Sequence, residues 1–188
     1  MRIAMWSGPR NLSTAMMYSF GNRDDCAVVD EPFYAAYLAD TGLNHPMRRE
    51  IMESQPQDPT VVADRLVTDI PEGKPVFYQK HMTHHMTTVM PRGWIAECVN
   101  VFLLRHPARV VASYAAKREN PVLDDLGFVQ QAALFDHVCA VGQMPVVIDS
   151  YDIRRDPDGM LRKLCDAIGL GFDPKMLEWP AGGHRADG

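Results

Sequence analysis

A chain of 188 residues favours one domain, or one with a small appendage, over two full domains, since domains run to roughly 100–200 residues. With 46% hydrophobic and 23% charged residues it buries about two-thirds of its unfolded surface without staples, which excludes a disordered or disulfide-dependent chain. Set against each other, 19 basic and 24 acidic residues leave a net charge of −5, so a global basic field for nucleic acid or an anionic membrane is absent. Any anionic ligand must then be held by local cations. Cys26, Cys98, Cys139 and Cys165 form no C-x-x-C pair and read as reduced, buried residues rather than zinc ligands or a disulfide framework. No apolar run reaches the roughly 18–20 residues that cross a bilayer, and Ile3 to Trp6 is too short for a signal-peptide core. A cytoplasmic protein with no membrane and no nucleic-acid partner is expected.

The elements follow in chain order. Arg2 to Ser7 reads as a buried strand that stops at Gly8-Pro9, and Asn11 to Phe20 carries helical spacing in Leu12, Ala15, Met16, Ser19 and Phe20. Cys26 to Asp30 is a second strand closed by Asp30-Glu31-Pro32, where the proline stops it. The stretch from 34 to 70 reads as a helical insertion with two weak helices, Met47 to Glu53 and Thr60 to Ile70. Pro75 to Gln79 and Val99 to Leu104 are the third and fourth strands. A helix from Pro107 to about Lys117, a second from Asp124 to about Val141, a strand at Val146 to Ile148 and an amphipathic helix from Pro157 to Ile168, stopped by Gly169, complete the chain.

Near-continuous apolar strands alternating with helices predict an α/β fold, a mainly parallel sheet of about five strands flanked by helices in a single domain, residues 1–188. Ligands of such sheets bind beyond the carboxyl ends of the strands. That rule selects Ser7 to Thr14, Glu31, Lys80-His81 and Arg105-His106.

Ser7-Gly-Pro-Arg-Asn-Leu-Ser13-Thr14 joins a strand to a helix, where backbone N–H groups and the positive helix end receive phosphate. It is no ATP-type loop, since the Gly-Lys-Ser/Thr ending is missing and Arg10 is its only cation. An ordinary capped turn with a surface arginine is the alternative. In the second cluster Arg105 closes a buried strand, and Arg109 and Ser113 lie on one side of the following helix, where a second anion would sit. A solvated helix face is the alternative there.

Pro9-Arg-Asn-Leu-Ser-Thr14 resembles the 5′-phosphosulfate loop of the sulfotransferases that use 3′-phosphoadenosine 5′-phosphosulfate, written there as Pro-Lys/Arg-Ser-Gly-Thr/Ser-Thr. Leu103-Leu-Arg-His-Pro-Ala-Arg-Val-Val-Ala-Ser113 is similar to their 3′-phosphate motif. Asp149-Ser-Tyr-Asp-Ile-Arg-Arg-Asp-Pro157, leading into Leu161, Leu164 and Ile168-Gly-Leu170, resembles a mostly structural motif of the same family. The likeness runs from residue 1 to about 173. It implies a P-loop-like domain that moves a sulfuryl group from that nucleotide, its co-substrate, to a hydroxyl or amine of a small-molecule acceptor, without a metal. Arg10 stands where the family meets the sulfonate and bridging oxygen. Asn11, Leu12, Ser13 and Thr14 would wrap the 5′-phosphate, and Arg105 with Ser113 would hold the 3′-phosphate.

Leu12 replaces the family's loop glycine, so either the backbone there avoids positive φ or the cradle differs in shape. Two residues compete for the role of base. His81 stands near the family's Lys-Thr-His, but a one-residue shift turns it to the other face unless the strand has already ended. Glu31, in Asp-Glu-Pro-Phe, resembles the Glu-Pro-Leu of carbohydrate sulfotransferases; its alternative is an ion pair with a neighbouring arginine such as Arg10. His81, His84 and His85 do not make a metal site, because the adjacent pair would face apart. Trp94 and Trp179 read as packing residues or as stacking partners for an adenine. Arg185 is either a remnant of the family's glycine-rich basic lid, or the lid is lacking. A P-loop kinase, or an inactive nucleotide-binding module, remains the alternative function. Neither acceptor identity nor oligomeric state has a signature in the pattern.

Overall fold

The computed structural model describes residues 1–68, 70–116 and 122–184. Its centre is a five-stranded sheet in the order β2-β3-β1-β4-β5, every neighbouring pair parallel. The strands are β1 (Arg2–Ser7), β2 (Cys26–Asp30), β3 (Val76–Met82), β4 (Val99–Leu104) and β5 (Val146–Asp149). The described helices are α1 (Ser13–Gly21), α2 (Tyr34–Thr41), α3 (Arg48–Ser54), α4 (Pro59–Val67), α5 (Pro107–Ala115), α6 (Leu123–Leu126), α7 (Phe128–Ala140), α8 (Ser150–Arg155) and α9 (Pro157–Ile168). Strands buried on both faces need helices on both, and each face has them. Ile3, Met5, Val76, Tyr78, Val101 and Leu103 pack under α1 and α9, while Ala4, Trp6, Phe77 and Phe102 pack under α2, α4 and α7.

The strand order reverses at β1, so the loop after β1 lies at the switch point, with β3 on one side and β4 on the other. The apolar runs place β1, β2, β4 and α9 where their sequence predicts them. Four expectations are corrected, the last being the burial of Cys139. The insertion holds three helices, because Tyr34–Thr41 forms α2 and buries Ala35, Ala36, Tyr37 and Leu38. The predicted helix from Asp124 to Val141 is two, broken at Gly127, whose φ of 69° is left-handed and ends α6. β3 runs on through Lys80, His81 and Met82 rather than stopping at Gln79. Cys26, Cys98 and Cys165 are buried and free, and burial pushes the thiols of Cys26 and Cys98 up to about 12; Cys139 is exposed. No helix among the described residues is long and apolar enough to cross a membrane.

Candidate functional site

The loop from Gly8 to Leu12 takes the chain from β1 into α1. Its left-handed residue is Arg10, with φ 56°, while Leu12 has φ −88° and so has no need of glycine. The loop is tied down from β4. Asn11 Nδ2 donates to the Leu103 carbonyl at 2.9 Å, and Asn11 Oδ1 accepts from the Leu12 N–H at 2.8 Å. The side chain of Asn11 and the amide of Leu12 are therefore spent inside the loop, and Ser13 and Thr14 supply the open helix N-terminus. Gly8 is needed for space, since a Cβ there would lie 2.7 Å from the Leu126 carbonyl oxygen.

Arg105, just past β4, donates through Nη1 to the Arg10 carbonyl, and Arg10 Nε donates to Ser113 Oγ on α5 at 3.1 Å. Arg10, Arg105 and Ser113 thus form one connected group, with Ser113 on Arg10 rather than on Arg105. Beside them a cavity of about 180 Å³ is lined by Arg105, Arg109, Arg154, Asp149, Ser150 and Tyr151. The Arg109 guanidinium sits 4.8 Å over the Tyr151 ring. The segment Asp149–Pro157, whose resemblance implies a mostly structural part, lines the cavity as well, and Tyr151 and Arg154 within it are the signal in the sequence.

On the other side of β1 stand the acids. Glu31 has φ 43°, donates its N–H to the Lys80 carbonyl at 3.0 Å, and meets Lys80 Nζ through Oε1 at 2.8 Å. The same ammonium lies 2.5 Å from Asp30 Oδ1. Lys80 is only 4% exposed; burial alone would pull its pKa down, but Glu31 and Asp30 outweigh that and hold it raised. Among the described residues Glu31 pairs with Lys80, where the alternative reading named a neighbouring arginine such as Arg10. His85 Nε2 stands 3.9 Å from Glu31 Oε2, with its ring stacked on Tyr34 and Tyr37 at 4.7 Å each.

His81 is a correction as a base candidate. It lies inside β3, opposite Trp6 in register, on the face away from Lys80, and is 2% exposed. Its ring stacks on Trp6 at 4.6 Å, and Nε2 is paired with Gln79 Oε1 at 3.2 Å. Burial pushes its pKa down to about 3, so it is a neutral core residue. Trp94 is likewise buried, 5.7 Å from Trp6. Trp179 packs on Tyr18 in the second half of α1, away from the loop that opens the helix. Neither is placed to stack on a base at the loop. Arg185 lies outside the described residues. Among the described residues no three His, Cys, Asp or Glu side chains gather in a way that could hold a metal ion.

Comparison with known proteins meets this geometry. A sulfotransferase-domain family model matches residues 1–188. The chain is 34% identical over 189 residues to branched-chain-amino-acid aminotransferase-like protein 2 of Arabidopsis thaliana, covering 99% of this chain and 33% of that protein. It therefore spans about a third of the length of the curated relatives it matches. Its fold is that of the sulfotransferase domain from the curacin biosynthetic pathway, at 16% identity and TM-score 0.61, covering 99% of this chain and 79% of that one. The sulfotransferase domain of the Synechococcus PCC 7002 olefin synthase gives 19% identity, TM-score 0.61 and the same coverage. Matched over its whole length by the family model, and carrying its loop arginine at the switch point of a parallel sheet, the chain belongs to the sulfotransferase family.

Proposed function

We propose that this domain transfers a sulfuryl group from 3′-phosphoadenosine 5′-phosphosulfate to a hydroxyl or amine of a small acceptor. The observation that carries the reading is the sequence of charges along one sheet edge: carboxylate at β2, cationic loop at β1, arginine-lined cavity at β4 and β5. Neighbouring strands lie about 4.8 Å apart, so Glu31 and Arg105 stand roughly 14 Å apart across the sheet, with the loop between them.

The parts divide the chemistry. The N–H groups opening α1 and the Thr14 hydroxyl receive the 5′-phosphate, with Asn11 fixing the loop that presents them. Arg105, Arg109 and Arg154 offer planar donors for the 3′-phosphate beside the Tyr151 ring. Ser113 holds Arg10 through Nε, and the remaining donors of that guanidinium serve the sulfuryl and bridging oxygens. Glu31 takes the acceptor's proton as the acceptor oxygen or nitrogen bonds to sulfur. The electron pair of the breaking S–O bond stays on the bridging oxygen, where Arg10 offsets its charge.

Incubation with ³⁵S-labelled nucleotide and a panel of phenols, alcohols and amines tests the activity. Label reaching an acceptor, together with a rise in melting temperature with adenosine 3′,5′-bisphosphate, is the expected result. A rise with ATP and magnesium but not with the bisphosphate favours the kinase reading. Binding of the bisphosphate without turnover on any acceptor favours an inactive module.

A further inference from the structure

We infer that Lys80, shared between Asp30 and Glu31, is a positioning residue that sets how tightly Glu31 holds a proton. The functional meaning of this inference rests on Glu31 being the base. Lys80 grips Glu31 twice, through its own backbone carbonyl and through Nζ, so one residue fixes both the left-handed backbone and the carboxylate of Glu31. A non-glycine residue at positive φ is strained and persists where its surroundings over-determine it, which these two bonds do.

Among the described residues, three elements bring groups to Glu31. Asp30 precedes it on β2, and Lys80 approaches from β3. From the turn Thr83–His85, His85 presents Nε2 at 3.9 Å; burial first, then His84, Lys80, His45 and His81, keep its own pKa down. Burial holds His85 neutral near pH 7, so Lys80 and Asp30 bring opposite formal charges to the carboxylate. Full possession of the ammonium would leave Glu31 a weak proton acceptor. Complete loss of it would leave Glu31 protonated at higher pH. Asp30, 2.5 Å from the same nitrogen, divides the ammonium and places Glu31 between those limits.

Titration of the carboxyl carbons by ¹³C NMR reads this without any acceptor, the Glu31 signal being the one lost in Glu31→Gln. In Lys80→Met the Glu31 midpoint is expected to rise by about 1–3 pH units. In Asp30→Asn, which leaves the ammonium to Glu31 and removes a like charge, it falls. Lys80→Arg keeps it within about half a pH unit of the wild type, by the same charge argument. A midpoint that stays put in Lys80→Met, or in Asp30→Asn where Lys80→Met does not fold, overturns the inference. The base reading is judged separately by ³⁵S transfer in Glu31→Gln. Wild-type transfer there sinks the base, even with both midpoint shifts as expected. Lost transfer with unmoved midpoints sinks the role of Lys80 alone.

Discussion

Acidification should unfold this protein through its core histidines. His81 lies among Trp6, Trp94 and Phe33, and His85 between Tyr34 and Tyr37; burial keeps both neutral, His81 down to about 3 and His85 well below its ordinary value. Unfolded, each titrates near 6.5, so below that pH the unfolded chain binds more protons and stability falls as pH falls. At about 1.36 kcal/mol per pH unit, His81 costs about 2 kcal/mol at pH 5 relative to pH 8, and His85 adds to this in the same direction. That is a sizeable part of the roughly 5–15 kcal/mol of a typical domain. With a urea slope of about 2 kcal/mol per molar, the midpoint drops by about 1 M or more between pH 8 and pH 5. Urea titrations at both pH values measure it, and His81→Gln should remove about 1 M of the drop whatever it does to the stability at pH 8. Equal midpoints at the two pH values refute the reasoning. The result also separates acid unfolding from protonation of Glu31 in any pH–rate profile.

Three further outcomes are expected. Arg105→Ala removes a guanidinium from the cavity and the bond that holds the Arg10 carbonyl; at about 1.5–3 kcal/mol for a hydrogen bond to a charged group, calorimetry should show adenosine 3′,5′-bisphosphate binding weakened roughly 10- to 100-fold. Gly127→Ala forces a Cβ to 2.5 Å from Thr83 Oγ1 at φ 69°, costing about 2–3 kcal/mol by urea unfolding, whereas Gly171→Ala, which meets open space, costs little. Lys80 has a raised folded pKa, so its contribution is whole below the ordinary value of 10.5 and is lost as pH climbs through the higher folded one; the alkaline fall in the urea midpoint should be shallower in Lys80→Met.

What the sequence made legible follows from where apolar residues run unbroken. Val99–Leu104 and Cys26–Asp30 declare themselves because neighbours on both faces are buried, and α9 because Leu161, Leu164, Cys165 and Ile168 share one stripe. β3 does not declare its end, because its last residues are polar by name and buried in fact. Lys80 is buried by two carboxylates and His81 by the tryptophan rings, and both partners come from distant parts of the chain. The site divides the same way. Arg10 and Arg105 were legible as strand-end cations, but the hydrogen bond from Arg10 to Ser113 spans 103 residues and has no local trace. The missing loop glycine is explained by a shift of the left-handed position to Arg10, two residues before Leu12, which only the backbone angles reveal.

The placing of Lys80 also resolves a conflict built into the chemistry. On the proposed roles, a base and an anion-holding guanidinium at nearby strand ends attract each other, and a direct Glu31–Arg10 pair would make the carboxylate a poor proton acceptor and neutralise the arginine. In this fold β3 stands between β2 and β1, and its ammonium meets the carboxylate first. Ser113, a neutral acceptor, engages Arg10 from the far side and leaves its charge in place. Keeping the two apart is thus a consequence of the strand order itself. On the proposed roles, the carboxylate after β2 and the guanidinium after β1 stand apart across the end of β3, and a group in transfer would lie between them.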